Sequence, residues 1–301
     1  MSENNYKRSP FFYVGDKFKL MPQLKENFPK DIDRFIEPFC GGGSVFLNTY
    51  AKKYLLNDID SYVIKLHQYL ISNSSNPDLF WGKLKYNIEK YNLSATFMGR
   101  DVPKEYRKEF VKTYFAKYNK EAYLKMRDDF NKNQDDMMLL YMLLIYGFNR
   151  MLRFNSKGYF NLPVGNVDFN NNVVEALNNY FDHVRDKNIT LLNFDFRDFI
   201  EEVNPTSKDF VYLDPPYLIT FSEYNKLWSE DSEMRLISYL DTLNERGVRF
   251  AVSNVLWHRK RYNGTFNEWA QKYNIVKIQS NYISYHDNTG KDSYEVLVKN
   301  Y

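Results

Sequence analysis

Two short runs of residues carry most of the chemistry this chain can offer. The first is Asp214-Pro215-Pro216-Tyr217, directly after the apolar run Phe210-Val211-Tyr212-Leu213. Consecutive prolines fix the backbone and remove two amide donors, so the Pro215 carbonyl is left as a directed acceptor. Asp214 adds a second acceptor and Tyr217 a flat aromatic face. An exocyclic amine has two hydrogens to place and belongs to a ring that can stack, so the four residues suit the amino group of adenine or cytosine. They also suit a strand-ending turn with a buried tyrosine, and residue chemistry alone leaves both readings open.

The second run is Cys40-Gly41-Gly42-Gly43-Ser44, after Arg34-Phe35-Ile36-Glu37-Pro38-Phe39. Glycines let a backbone turn closely around a ligand, and the reading strand, glycine loop, helix would add unpaired amides at a helix start. Asp58 ends the next short apolar run, where a carboxylate can accept ribose hydroxyls. The spacing is too short for the dinucleotide fingerprint, and position 46 is Phe where the third glycine would stand. A tight turn without a ligand is the competing reading. Cys40 reads as a packed thiol rather than a nucleophile. The four histidines, His67, His183, His258 and His286, show no metal-ligand spacing, and His67 reads as helix surface or boundary.

These runs need a sheet to hold them. Strands are expected at 34–39, 54–58, 189–195, 210–213, 249–254, 275–278 and 294–298, the last two as an edge hairpin. Helices are expected at 18–27, 61–71, 232–246 and 267–273. Between Asn73 and Asp186 the strand signal fades. Helical patterns cover 78–91, 103–117 and 134–146, a polar linker spans 128–136, and 147–172 reads as loop. The resulting expectation is an α/β chain: residues 1–72 and 187–301 form a sheet domain, interrupted by a mostly helical insertion, 73–186.

Composition narrows the partners only slightly. Lys plus Arg number 41 against 38 Asp plus Glu, a net charge of +3, so nucleic-acid binding would need positive charge gathered on one face. Basic residues do alternate with aromatics between Phe148 and Phe160, and Arg259-Lys260-Arg261 forms a second cluster. The latter reads equally as phosphate contacts or solvated surface. A single cysteine rules out an intrachain disulfide framework. No signal-peptide pattern is present, and the longest apolar run, Met137–Tyr146, falls far short of the roughly 20 residues a membrane span needs. A cytoplasmic, metal-free monomer is the simple expectation.

Taken in order along nearly the whole chain, the motifs resemble the N6-adenine DNA methyltransferases, in particular the alpha group that contains the GATC adenine methylases and their restriction-system relatives. The resemblance rests on Tyr13-Val14-Gly15-Asp16-Lys17, the glycine loop from Phe35 to Leu47, Asn57-Asp58-Ile59-Asp60, the stretch from Gly147 to Gly165, and Asp214 to Tyr217. It implies a Rossmann-like S-adenosylmethionine-dependent sheet, a target-recognition insertion, and methyl transfer from that cofactor to adenine N6 in a short site of double-stranded DNA, with the base flipped out of the helix. It implies catalytic roles for Asp214, Pro215, Pro216 and Tyr217. Tyr13, Lys17, Phe39, Gly41, Gly43, Asp58, Asp195, Phe196 and Asp214 would hold the cofactor. Phe148, Asn149, Arg150, Met151, Arg153, Asn155 and Lys157 would meet DNA, with Arg153 reading a guanine or else contacting phosphate. Cytosine N4, RNA, or non-catalytic DNA binding are the alternatives. A cognate restriction endonuclease acting on the same site is a possible partner. Two residues depart from the family pattern: Asp16 stands where a second glycine is usual, and Arg150 where close GATC methylases have glycine.

Overall fold

A computed structural model describes residues 6–220, 228–279 and 293–301. His286 lies outside the described residues. Among the described residues the centre is a mixed sheet of eight strands: β1 Arg34–Glu37, β2 Lys53–Asn57, β3 Asn188–Leu192, β4 Phe210–Leu213, β5 Arg249–His258, β6 Arg261–Tyr262, β7 Asn274–Ile278 and β8 Ser293–Lys299. Seven run in the order β3-β2-β1-β4-β5-β8-β7, and β6 folds back on β5. The first five of that path are parallel; β8 is antiparallel to both β5 and β7. The edge hairpin is therefore as expected. Chain order reverses between β1 and β4, and in open α/β sheets the crevice beyond the strand ends at such a point is where ligands bind.

Alternation along the strands serves two cores. Phe35, Tyr54, Phe210 and Tyr212 face one, Ile36, Leu55, Val211 and Leu213 the other. The second core is closed by α8 Phe196–Val203, α9 Glu230–Glu245 and α10 Gly264–Ala270. The first is closed by α2 Ser61–Asn73 and by α3 Pro77–Tyr91, α5 Tyr114–Lys132, α6 Met137–Tyr146 and α7 Asn171–Val184, which lie between β2 and β3; α4 Lys104–Glu109, in the same stretch, buries no residue. A short α1, Met21–Glu26, packs beside β1's end of that core. All but the first residue of α6 are buried. It is apolar on every side, as a helix surrounded by others must be.

Several boundaries differ from expectation for identifiable reasons. No α-helix follows the glycine loop; only a single 3-10 turn, Phe46–Asn48, does. The Asn48 and Thr49 side chains bond the Ser44 and Val45 carbonyls, and Thr49 is already extended as the chain heads for β2. The expected amides of a helix start are thus absent, and the loop must hold a ligand by itself. The helix anticipated at 103–117 breaks at Phe110. α5 then runs through most of the supposed polar linker, because Asn119, Tyr123, Met126 and Phe130 recur on one buried face. α7 was hidden by its polar start, yet Asn170 caps it by accepting from Asn172 N–H and Val173 N–H. β3 stops at Leu192, so Asp195 is not a strand end. It caps α8 instead, accepting from Arg197 N–H.

Candidate active site

One cleft of about 1550 Å³ lies over the β1 and β4 ends. It brings together Tyr13, Lys17, Phe39, Gly41, Gly43, Asp58, Asp195, Phe196, Asp214, Pro215, Pro216 and Tyr217 from distant parts of the chain. Phe148, Asn149, Arg150, Met151 and Arg153 line it as well. Asn155 and Lys157 do not.

At the catalytic end, Lys17 Nζ donates to Asp214 Oδ2 at 2.7 Å and lies 5.2 Å from the centre of the Tyr217 ring. The Lys17 side chain is 5% exposed and that of Asp214 20%. Removing either partner would leave the other charge poorly compensated. Asp16 explains its departure from glycine: its Oδ1 accepts from Phe18 N–H at 2.9 Å, capping the turn that delivers Lys17. Gly15, at φ +83°, still supplies the left-handed step. The Tyr217 hydroxyl lies 3.0 Å from both Asp214 Oδ1 and Glu295 Oε1. Glu295, on β8, is buried. Sequence reading missed it because nothing in a strand residue 78 positions away announces a contact with the tetrapeptide.

At the glycine end, Gly41 N–H donates to Asp58 Oδ2 and Asp60 N–H to Asp58 Oδ1, both at 2.9 Å. Burial pushes the Asp58 carboxyl up to about 6 despite these amides. Asn57 ties the loop to the neighbouring strand end, donating to the Pro38 and Phe194 carbonyls. Gly43 is obligatory. Its φ is +80°, and a Cβ there would stand 2.3 Å from the Phe46 ring. Glu37 is buried with one carboxylate oxygen lacking a hydrogen bond. Burial first, and the Asp214 charge second, hold its carboxyl well above the usual range.

Between these ends stands an aromatic box. Phe39 and Phe196 ring centres are 5.3 Å apart, and Trp228 lies 5.9 Å from each. Trp228 Nε1 donates at 2.7 Å to Glu233, a buried carboxylate that also accepts from Asn254 and Asn263. Asn254 thus shapes the pocket through Glu233 and Trp228. Trp228 was not anticipated; its place just before the Ser229 cap of α9 was the available signal. Burial works against the charged form of Asp195, but Arg197 and its amide outweigh it and hold the carboxyl below its usual range.

His67 is fully buried, not at a boundary. It shares the α2 face of Val63, Leu66 and Leu70, and that spacing could have placed it. On the far wall, Asn149 and Arg150 have φ of +53° and +50°, the left-handed conformation that glycine adopts freely. The Arg150 guanidinium sits 4.1 Å from the Phe12 ring centre, and burial lowers its pKa to about 10. Arg153 Nε and one terminal nitrogen are oriented by Asn161, at 2.9 and 2.7 Å. Asn155 shapes the hairpin tip, accepting from Lys157 N–H and Tyr159 N–H.

The ensemble is an acceptor pair with a tyrosine, a glycine-and-carboxylate loop, an aromatic box and a basic, aromatic wall. That combination suits a nucleoside-bearing cofactor beside a nucleobase amine. Comparison with known proteins agrees. Residues 13–283 match the model of the D12 class N6 adenine-specific DNA methyltransferase family, and the chain belongs to that family. It is 33% identical to the modification methylase StsI of Streptococcus sanguinis over all of this chain and 44% of that protein. It is 34% identical to the type II methyltransferase M.FokI of Planomicrobium okeanokoites over 99% of this chain and 43% of that protein. With M.MjaIII of Methanocaldococcus jannaschii, a type II methyltransferase, it shares 31% identity across 97% of this chain and 99% of the relative. The chain therefore spans less than half the length of the first two. No helix among the described residues is long and apolar enough to cross a membrane.

Proposed function

We propose that this chain transfers a methyl group from S-adenosylmethionine to adenine N6 within a short specific sequence of double-stranded DNA. The observation that carries the proposal is the single cleft joining Lys17, Asp214 and Tyr217 to the Gly41–Gly43 loop and the Arg153 wall. The residues fit the cofactor on their own chemistry: Phe39, Phe196 and Trp228 for an adenine ring, Asp58 for ribose hydroxyls, and the glycine loop for the methionine end. When bound, the cofactor supplies a methyl group activated by its sulfonium. The chain supplies orientation. Asp214 and the Pro215 carbonyl accept from the two amine hydrogens, Pro216 keeps that carbonyl's direction fixed, and Tyr217 offers its ring to a flipped base. Lys17 keeps Asp214 in place, and the carboxylate tolerates the positive charge that develops on the amine.

In this reading residues 1–72 and 187–301 form the Rossmann-like cofactor domain, and 73–186 the target-recognition part. Arg153, pre-oriented by Asn161, reads a guanine. Phe148, Asn149, Arg150 and Met151 fill the space the flipped base leaves. Asn155 acts through the hairpin tip, and Lys157 through phosphate. A cytoplasmic monomer is sufficient for the chemistry, and a restriction endonuclease reading the same site is a possible partner.

The test is incubation with labelled S-adenosylmethionine and a duplex library, followed by mapping of the modified base. Label on adenine within one short sequence is expected. Label on cytosine would redirect the substrate assignment, and absence of transfer would overturn the enzyme assignment. Asp214→Ala should lower the transfer rate about 100-fold or more while cofactor binding, which Asp214 shares with many other residues, is largely spared.

A further inference from the structure

The two peptide groups that flank the Gly41 Cα are each held by a side chain, although the loop's glycines have none. The Gly41 N–H is taken by Asp58 at 2.9 Å, and the Gly41 carbonyl oxygen lies 2.8 Å from His67 Nε2. The other ring nitrogen, Nδ1, is 2.8 Å from the Tyr180 hydroxyl. A carbonyl can only accept, so Nε2 must carry the imidazole proton. In the neutral ring Nδ1 is then the acceptor, and the Tyr180 O–H donates to it. The ring is also pinned by Phe11, with centres 4.5 Å apart. Both His67 and Tyr180 are fully buried, where a hydrogen-bonded chain is strengthened by the low dielectric.

We propose that His67, oriented by Tyr180, is a positioning residue that sets the conformation of the cofactor loop by drawing the Gly41 carbonyl into the core. The designation of this loop as the cofactor site rests on the function proposed above. The peptide is planar and trans, so with its oxygen turned toward His67 the Gly42 N–H points the opposite way. A reversed peptide would turn the oxygen away from the core and expose a repulsive dipole to an anionic ligand group. Gly41, at φ +46°, has the backbone freedom to flip, so something must hold it. Asp58 fixes the preceding peptide, and His67 fixes this one. The chain Tyr180 to His67 to Gly41 also ties α7 to the loop, so the helices between β2 and β3 contribute to a site they do not line.

Three variants of the full chain test this: His67→Leu, which removes the donor; His67→Gln, whose side-chain amide keeps an N–H directed at Gly41; and Tyr180→Phe, which removes only the orienting hydroxyl. Two readouts are paired. Hydrogen exchange of the peptide covering 38–47 needs no ligand, and calorimetry with S-adenosylmethionine measures affinity. Loss of one buried hydrogen bond predicts about tenfold weaker cofactor binding and faster loop exchange in His67→Leu. His67→Gln should recover to within about threefold, and Tyr180→Phe should fall between them. Unchanged loop exchange in His67→Leu overturns the proposal. So does faster exchange that extends equally to α6, or that His67→Gln fails to rescue, since either outcome marks a general packing role. If wild-type protein binds no S-adenosylmethionine, the cofactor reading fails, and the exchange measurement alone decides the positioning claim.

Discussion

Asp58 already accepts from two backbone amides before any ribose hydroxyl is considered, and burial still raises its carboxyl to about 6. The sign matters. A carboxyl raised above its ordinary value of 3.8 favours the fold below that value, and this contribution is lost as pH rises through about 6. Ionised Asp58 therefore costs the fold stability at neutral pH, and in the proposed function it is the ionised form that accepts ribose hydroxyls. We expect S-adenosylmethionine affinity to be flat above about pH 6. Below it, affinity should decline by up to about tenfold per pH unit. Calorimetry across that range checks this, and Asp58→Asn should show no such break. Arg150 poses a different balance. Its left-handed backbone costs roughly 1–2 kcal/mol, while its stacking on Phe12 returns a comparable amount when desolvated. Arg150→Gly should consequently change stability by only about 1 kcal/mol in denaturant unfolding while clearly weakening DNA binding. A stability loss several times larger would make Arg150 a structural residue instead.

At the scale of elements, α6 is buried at every residue but its first. Leu143 is fully buried among helices that share one core with the sheet. Leu143→Ala should cost about 2–5 kcal/mol, measured as a shift in urea midpoint at constant slope. What could be read from the sequence follows the same logic of burial. β1, β4 and the edge hairpin were legible because their apolar runs are short and bounded, and α6 because it is apolar throughout. α7 and the second half of α5 were not, because their exposed polar faces mask the buried stripe. The site divides in the same way. Asp214 to Tyr217, Gly41 to Gly43 and Asp58 are contiguous motifs, and all line the cleft. Glu295, Trp228 and His67 reach the site only through tertiary packing. Of these, His67 left a trace in its helical spacing with Val63, Leu66 and Leu70, Trp228 one in its place before the Ser229 cap of α9, and Glu295 none.

Across the whole molecule, a net charge of +3 is too small to attract DNA indiscriminately, so the placement of cations matters more than their number. Arg150, Arg153, Arg259 and Lys112 all line the cleft. Lys112 lies between α4 and α5, where Asn166 accepts from Phe115 N–H and Ala116 N–H and donates to the Lys112 carbonyl. Lys112→Ala should weaken binding to all duplex sequences alike and reduce the salt dependence by about one phosphate contact, whereas Arg153→Ala should alter which sequence is preferred. Titrating binding against salt for specific and scrambled duplexes separates the two outcomes. The lone thiol bears on how such measurements can be made. Cys40 is buried at the first position of the glycine loop, and burial holds its pKa well above that of a free thiol, so maleimides should pass it by. A cysteine introduced at exposed Tyr159 would then take a fluorophore selectively in an otherwise native sequence, giving an optical test of whether DNA arrives at the hairpin without first removing a residue from the glycine loop.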